Sequence, residues 1–332
     1  MVYLTQFMDE QTIISFIKEF DNSSSSVWLD EYGRYEVVIG YGIFDPVISD
    51  GGYKPIPIVP PSQLYISESR RTIISVGGFR AHNCGKIEAD KTGYSLITVP
   101  CPLSNDSFGT NRYSIGIDEQ VPSLESVYPA KTVFDIKRIL QIDKSKSIVG
   151  TGEFIGLFYS LLDYSLKKNI EFESLVPYVV ERIGIMEDAF KGGDDASIIS
   201  SIASSLVFKC LVMRVNKDHT VGCGIDHSFA RCFESDLDIA HGKAVFLGSV
   251  LSSALYPEWD SYGLSTSFLI EFGNKIGITP DDYKLICYRP FSDLIGKALD
   301  IRPKRSYALQ GLSKARINNA LYILEDNGIY FN

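Results

Sequence analysis

The spacing of hydrophobic and polar positions changes near residue 148. Before it, short runs rich in β-branched residues are bounded by Gly and Pro, as is typical of strands. Predicted strands are Glu36–Ile39, Pro55–Val59, Thr72–Val76, Ser95–Val99, Arg112–Ile117 and Thr132–Asp135. Helical spacing of apolar residues predicts helices over Met8–Phe20 and Ala81–Lys91, with a loop over Asp21–Ser26. Because strand, glycine turn, helix and strand follow one another from Thr72 to Val99, this part is predicted to contain a parallel sheet.

After residue 148 the apolar positions recur with the period of a helix. Predicted helices are Ile155–Leu166, Leu175–Phe190, Ala196–Met213, Asp226–Phe233, Lys243–Tyr256, Thr266–Lys275 and Ala315–Glu325. We therefore predict an α/β domain over residues 1–148 and a helical domain over residues 149–332.

Composition narrows the class of protein. With 45% hydrophobic and 22% charged residues, the 332-residue chain can bury a large core. A net charge of -9 argues against a nucleic-acid surface, which needs a basic face. The six cysteines form no C-x-x-C pair, which favours free thiols in a reducing compartment. We see no signal peptide and no apolar run long enough to span a membrane, so we expect a cytoplasmic protein.

A glycine turn follows the predicted strand Thr72–Val76, in ISVGGFRAHNCGK. Gly77 and Gly78 would let the backbone approach a phosphate, and the next helix would offer free N–H groups. A plain tight turn between a strand and a helix explains the same residues equally well, because the full G-x-G-x-x-G fingerprint is absent.

The second candidate is a metal centre. His227 and His241 are two of only four histidines, and each lies near the start of a predicted helix. Glu153 follows glycines at the predicted domain boundary and could complete a site of three protein ligands, with a position left for water or substrate. Hydrogen-bonded core histidines and a helix-start glutamate are the simpler explanation of these residues, and spacing alone favours it.

Several segments, in order, resemble the superfamily of iron-containing alcohol dehydrogenases, glycerol dehydrogenases, sn-glycerol-1-phosphate dehydrogenases and dehydroquinate synthases. They are VGGFRAHNCGK, VPCPLSNDSFGTNRYSI, GTGEFIGLF, the histidine segments IDHSFARCFE and IAHGKAVFLG, and IRPKRSYALQGLSKARINNAL. Asp106 and Arg112 have the spacing of the glycerol-1-phosphate dehydrogenases. The last segment is also similar to theirs, at Arg302, Pro303, Arg305, Gly311 and Leu312.

The resemblance implies a Rossmann-like α/β domain followed by an all-α domain, the dehydroquinate synthase-like fold. It implies a metal held by Glu153, His227 and His241, zinc first and Fe²⁺ as the alternative, and NAD or NADP as cofactor. Nucleotide-binding positions would be Gly77, Gly78, Lys86, Pro100 and Ser104. Catalytic or substrate-binding positions would be Asp106, Arg112, Lys209 and Arg231.

The implied activity is an NAD(P)-linked dehydrogenation of a small polyol phosphate such as glycerol 1-phosphate. Two alternatives stay open. Glu153 is typical of the cyclase branch, although Gly156 stands where the cyclases have a lysine and Arg231 where they have a histidine. Phe79, Asn83 and a short region before Thr72 depart from the family and favour a relative without nicotinamide chemistry. The expected partner is a small phosphorylated substrate, and the family also forms homo-oligomers.

Overall fold

The computed structural model describes residues 25–30, 33–44, 52, 54–57, 62–113, 124–142, 144–168, 175–301 and 306–331. The predicted helix Met8–Phe20 and the matched positions Arg302, Pro303 and Arg305 lie outside them. The chain divides into two compact units. The sheet unit is Met1–Ile148 with Asp194–Val215, and the helical unit is Val149–Gly193 with Asn216–Asn332. The segment Asp194–Val215 thus groups with the sheet unit, whereas the sequence pattern predicts it as part of the helical domain.

A seven-stranded sheet forms the centre of the sheet unit, in the order β1-β2-β9-β6-β5-β4-β3. Its strands are β1 (Ser25–Asp30), β2 (Gly33–Gly40), β3 (Lys54–Pro57), β4 (Gln63–Ser67), β5 (Thr72–Gly77), β6 (Ser95–Pro100) and β9 (Lys131–Asp135). The four central strands, β2, β9, β6 and β5, run parallel, and the strands at both edges are antiparallel. A separate pair, β7 (Arg112–Tyr113) and β8 (Leu124–Glu125), is antiparallel.

The strand β5 is buried on both faces, which is why its sequence is almost continuously apolar. Ile73 packs with Ala89 of helix α1 (Phe79–Thr92) on one face. Ile74 and Val76 pack with Phe44 on the other face. The β5–α1–β6 unit therefore confirms the strand, turn, helix and strand predicted from Thr72 to Val99.

Parallel strands bring their carboxyl ends to one edge of the sheet. β2 ends at Gly40, β5 at Gly77, β6 at Pro100 and β9 at Asp135. Asp135 fixes the turn after β2, since its carboxylate accepts hydrogen bonds from the backbone N–H groups of Gly42 (2.9 Å) and Phe44 (3.0 Å). This edge is where open α/β sheets usually bind ligands.

Beyond β9 every regular element in the described ranges is a helix. Two short helices come first, α2 (Ile136–Leu140) and α3 (Ser145–Ile148). The longer ones are α4 (Gly150–Lys168), α5 (Leu175–Gly192), α6 (Asp195–Asn216), α7 (Ile225–Leu237), α8 (His241–Leu255), α9 (Thr266–Lys275), α10 (Pro280–Ile286), α11 (Phe291–Ile301) and α12 (Lys314–Asp326). Short 3-10 helices occur at His219–Gly222 and Pro257–Tyr262. The helical unit is built around α8, which is buried on nearly all sides.

Glycines let three helices of this unit approach closely. A Cβ atom at Gly152 of α4 would lie 2.2 Å from the carbonyl oxygen of Gly242 in α8. A Cβ at Gly156 would lie 2.4 Å from Oδ2 of Asp226 in α7, and one at Gly248 would lie 2.2 Å from the Asp226 carbonyl oxygen. Any side chain at these positions would push the helices apart, so the glycines set the distances among α4, α7 and α8.

Within the described residues, α6 is a helix long and apolar enough to cross a membrane, judged by length and composition alone. However, 78% of its apolar window is buried inside the protein. Core helices pass the same test, so α6 is weak support for a membrane span and none is shown.

Candidate active site

The three predicted metal ligands lie together in the helical unit. Glu153 is in the first turn of α4, His227 is in the first turn of α7, and His241 is the first residue of α8. One ligand atom from each lies within 4.8 Å of the others. The close contacts of α4, α7 and α8 at their glycines thus bring together residues that are 74 and 14 positions apart.

The carboxylate of Glu153 lies between the two imidazoles. Its Oε1 is 3.3 Å from Nε2 of His227, and its Oε2 is 3.0 Å from Nε2 of His241. Both Nε2 atoms therefore point to the same small region. Two imidazole nitrogens and one carboxylate are a donor set that suits a divalent ion such as zinc, with further coordination positions left for small molecules.

Each histidine has a second carboxylate on its other ring nitrogen. Asp226 Oδ2 is 2.6 Å from Nδ1 of His227, and Glu234 Oε1 is 2.5 Å from Nδ1 of His241. A carboxylate at Nδ1 favours the tautomer in which Nδ1 carries the proton, so the lone pair of Nε2 is available to a metal. The donor chemistry of the cluster therefore fits a bound cation.

Sequence reasoning missed Asp226 and Glu234. Asp226 is fully buried, and its other oxygen accepts a hydrogen bond from Oγ of Ser160 at 2.7 Å. That hydroxyl in turn accepts from the backbone N–H of Gly224 at 2.7 Å. The available signal was an aspartate directly before one histidine and a glutamate seven residues after it, and neither is specific.

The electrostatics of the cluster show how strongly its groups interact. Burial alone would lower the pKa of His241, but the Glu234 and Glu153 carboxylates raise it to about 9. Burial would raise the pKa of Glu234, yet His241 and Arg231 hold it at about 2. The site therefore favours positive charge near His241, and a divalent cation would replace the proton there.

Arg231 is connected to this cluster through Glu234. Its Nη1 donates to Oε2 of Glu234 at 2.9 Å, and the other oxygen of the same carboxylate contacts His241. About a third of the Arg231 side chain (32%) is exposed. The helical spacing after His227 thus places Arg231 near the cluster, while its predicted catalytic and substrate-binding role stays a prediction.

The glycine turn of the sheet unit lies between β5 and α1. Gly77 has a φ of 139°, and a Cβ there would lie 2.6 Å from Oγ of Ser62. Gly78 precedes the first turn of α1. A cleft of about 130 Å³ lies beside the turn, at the carboxyl edge of the sheet. It is lined by Val76, Gly77, Cys101, Arg138, Gln141 and Ile142.

Two other predicted nucleotide-binding residues lie at the end of β6 and directly beyond it. Pro100 is the last residue of that strand, and Ser104 is in the loop after it. Both belong to the sheet unit, as do Gly77 and Gly78. The cleft residues Arg138 and Cys101 were not foreseen, because the sequence gives no signal that the segment after β9 lies beside the glycine turn.

The side chain of Lys86 does not line the cleft beside the glycine turn. It is fully buried, and Nζ donates to the carbonyl oxygens of Ser107 (2.6 Å) and Arg112 (2.7 Å) and to Oγ1 of Thr110 (3.3 Å). An ammonium group has three donors, so these contacts occupy all of them within the chain. The pyrophosphate contact predicted for Lys86 stays a prediction, and the observed contacts of its ammonium group are with the chain itself.

The predicted substrate residues of the sheet unit are partly brought together. Nζ of Lys209, fully buried in α6, lies 3.3 Å from Oδ2 of Asp106. Arg112 is in β7 and forms an ion pair with Glu125 of β8 at 2.9 Å. Asp106 and Lys209 are more than 100 residues apart in the sequence, so their contact depends on the fold.

Comparison with known proteins supports the resemblance in sequence. No family model matches the chain. The chain is 25% identical over 271 residues to the glycerol-1-phosphate dehydrogenase [NAD(P)+] of Methanospirillum hungatei JF-1, covering 78% of this chain and 73% of that protein. It is 23% identical to the enzyme of the same name from Thermococcus kodakarensis, over 72% of this chain and 69% of that protein.

Solved structures show the fold. A probable glycerol dehydrogenase from Sinorhizobium meliloti 1021 matches with a TM-score of 0.55 at 16% identity, covering 78% of this chain and 77% of that one. An iron-containing alcohol dehydrogenase from Corynebacterium glutamicum matches with a TM-score of 0.52 at 14% identity, over 77% and 72%. The chain thus has the fold of the glycerol and iron-containing alcohol dehydrogenases, which confirms the predicted fold class. Its curated relatives are the glycerol-1-phosphate dehydrogenases, which confirms the recognised resemblance.

Proposed function

We propose that this protein is a metal-dependent, NAD(P)-linked dehydrogenase of a small polyol phosphate, such as glycerol 1-phosphate or dihydroxyacetone phosphate. One observation carries the proposal. Glu153, His227 and His241 present ligand atoms within 4.8 Å of one another, and a carboxylate contacts Nδ1 of each imidazole. The relatives that share the chain's sequence pattern bear the name of this activity.

In this proposal the metal, when bound, supplies Lewis-acid chemistry by polarising a hydroxyl or carbonyl oxygen of the substrate. Glu153, His227 and His241 hold it, and Asp226 and Glu234 orient the imidazoles. We favour zinc, since two imidazoles and one carboxylate suit it, and keep Fe²⁺ as the alternative.

The sheet unit supplies the other binding groups. We propose that NAD or NADP binds at the carboxyl edge of the sheet, where Gly77 and Gly78 allow close approach of a phosphate and α1 offers free N–H groups. Asp106 binds substrate hydroxyls, and its negative charge is balanced by Lys209 at 3.3 Å. Arg112 is the candidate for the substrate phosphate, in exchange for its ion pair with Glu125.

A cyclase-like elimination is less well supported. The cyclases of the superfamily have a lysine three residues after the metal-binding glutamate, and here that position is Gly156. A Cβ at Gly156 would lie 2.4 Å from Oδ2 of Asp226 and 2.6 Å from Cγ1 of Val245. The backbone therefore leaves no space for a lysine, and the carboxylate that backs His227 occupies the position instead.

The proposal includes a cytoplasmic location and a small-molecule substrate. All six cysteines are free thiols in the structure, as expected for a reducing compartment. We propose no nucleic-acid partner, in line with the acidic net charge of -9. A homo-oligomer is part of the proposal only by analogy with the superfamily.

The test is a substrate panel with protein reloaded with Zn²⁺ or Fe²⁺ after removal of all metal. Dihydroxyacetone phosphate should oxidise NADH or NADPH only in the reloaded samples, and dihydroxyacetone without phosphate should react far more slowly. Release of inorganic phosphate without net change in the cofactor would favour the cyclase alternative. Metal binding without nicotinamide binding would overturn the proposal in favour of a relative that has lost hydride transfer.

A further inference from the structure

The loop between β6 and β7, residues 101–111, carries Asp106, and we call it the Asp106 loop. It folds on itself through short-range hydrogen bonds. The N–H of Ser107 donates to Oδ1 of Asn105 at 2.9 Å, and the N–H of Gly109 donates to the Asp106 carbonyl oxygen at 3.1 Å. These bonds shape the loop locally, but they do not connect it to the rest of the sheet unit.

Lys86 provides such a connection. Its fully buried ammonium group reaches from α1 to Ser107 and Thr110 inside the loop and to Arg112 directly after it. Two of the three acceptors are backbone carbonyls, which in a buried position need a donor. Removing the ammonium group would leave a buried and a part-buried carbonyl without this donor, which is costly.

The hydrogen bonds of Lys86 to the loop lie close to Asp106 in the sequence. Ser107, whose carbonyl oxygen accepts from Lys86 at 2.6 Å, is the next residue after Asp106. Lys209 of α6 meets the Asp106 carboxylate itself at 3.3 Å. Two buried lysines therefore help to position this carboxylate, one through the backbone and one by direct contact, and Cys210 Sγ adds a contact to the Asp106 carbonyl oxygen at 3.5 Å.

We propose that Lys86 is a positioning residue for Asp106, acting through the backbone of the Asp106 loop, and that it does not bind the phosphates of a nucleotide. The proposal rests on the proposed function, because it is that function which assigns substrate binding to Asp106. It replaces the role that the family resemblance implies for Lys86, since all three donors of the ammonium group are in use within the sheet unit.

The charge state of Lys86 supports a functional consequence. Burial lowers the pKa of Lys86 to about 7, against the opposite effects of Asp106 and Cys210. Lys209 is a further charged group on the same side, through its contact with Asp106. On α1 itself His82 stays neutral, because burial and Lys86 lower its pKa to about 3. A neutral amine donates only two hydrogens, so the hold on the loop weakens as the pH rises through about 7.

The test compares Lys86→Met with Lys91→Met, which makes the same change at an exposed position of the same helix. We expect amide hydrogen exchange at Ser107 and Gly109 to become about tenfold faster or more in K86M. Catalytic efficiency on the phosphorylated substrate should fall about a hundredfold, through displacement of Asp106. The dissociation constant of NADH and the metal content should stay as in the unmodified protein. K91M should match the unmodified protein throughout.

The pH profile adds a readout that a loss of packing would not change. In the unmodified protein, the protection factor of the loop amides, which corrects for the intrinsic increase of exchange with pH, should fall as pH rises through about 7, and K86M should lack this step. Weakened NADH binding in K86M with unchanged loop exchange would overturn the proposal and make Lys86 a phosphate ligand.

A second variant covers the case in which K86M does not fold. Thr110→Val removes one acceptor of the ammonium group and keeps the lysine. It should accelerate loop exchange in the same direction but less, and unchanged exchange in T110V would count against the proposal. Hydrogen exchange needs no substrate, so it decides the role of Lys86 in the loop even if the protein transfers no hydride and the proposed function fails.

Discussion

The helical unit and the sheet unit bury charged side chains in opposite ways. In the helical unit, Glu153, His227 and His241 direct ligand atoms to one point while carboxylates occupy the other ring nitrogens. In the sheet unit, the ammonium group of Lys86 donates to two backbone carbonyls and one hydroxyl in and directly after a neighbouring loop. A buried polar group is thus a good candidate ligand only when its remaining hydrogen-bonding capacity points to a shared space.

The two regions also differ in what fixes them. The metal cluster depends on helices held at glycine contacts, where Gly152, Gly156 and Gly248 leave no space for a side chain. The glycine turn depends on one backbone conformation at Gly77, which has a φ of 139°. The first arrangement is sensitive to added volume, and the second to loss of backbone freedom.

The largest expected effect is at Glu153, the carboxylate that faces both imidazoles. Glu153→Gln should lose bound metal and lower hydride transfer by more than about a thousandfold, since the site would keep only two strong ligands. Elemental analysis and steady-state kinetics check this, with the exposed Glu181→Gln as control. Full metal content in E153Q would show that Glu153 is not a metal ligand. The contrast between a metal-binding cluster in the helical unit and a buried lysine in the sheet unit would then fail.

A smaller effect is expected at Asp226, which orients His227 and does not face the metal position. Asp226→Asn should weaken metal affinity about 10- to 100-fold, because the amide no longer favours the required tautomer as strongly. Competition with a chelator of known affinity measures it, and the exposed Asp188→Asn is the matched control. Unchanged affinity would show that Asp226 serves only the packing of α7.

The glycine contacts can be tested by two identical substitutions. Gly156→Ala should destabilise the protein by about 3 kcal/mol, because the new Cβ would lie 2.4 Å from Asp226 Oδ2. Gly184→Ala in α5 meets nothing within 4 Å and should be neutral or stabilising. Urea unfolding of both variants gives the comparison. Equal stabilities would mean that the helices of the metal cluster can separate without strain.

The smallest effect concerns Asp163, a buried carboxylate of the helical unit whose Oδ1 accepts from the backbone N–H of Ala308 at 2.6 Å. Burial raises the pKa of Asp163 to about 6, above its usual value of 3.8. The folded state therefore binds the proton more tightly, and this contribution to stability is present at pH 4 and lost as pH rises through about 6.

Relative to Asp163→Asn, the unmodified protein should lose on the order of 2 kcal/mol of unfolding free energy between pH 4 and pH 7. Unfolding curves of both proteins at matched pH values measure the difference. If the difference in unfolding free energy between the two proteins stays constant across this range, burial does not raise the pKa of Asp163. Glu234 is the contrasting carboxylate, because its histidine partner lowers its pKa despite burial.

Much of the fold could be predicted because the pattern is local. The strand Thr72–Val76 and the helix Ala81–Lys91 appear as β5 and α1, and the helix Leu175–Phe190 appears as α5. The helix α11 was missed although Phe291, Leu294, Ile295 and Ala298 have helical spacing and are buried. The short strand β4 was missed because its five residues, QLYIS, carry little signal without their partner strands β3 and β5.

The sequence by itself determined the residue types of the candidate site and the order of the elements. A glutamate after glycines and two histidines at helix starts can be read along the chain, because periodicity and helix boundaries depend on neighbouring residues. The tertiary structure decided which atoms meet. Asp226 and Glu234 contact Nδ1 of the two histidines, and Lys86 is buried against the carbonyl oxygen of Ser107. The segment Asp194–Val215, most of α6, groups with the sheet unit. These outcomes depend on contacts between segments distant in sequence, which only packing specifies.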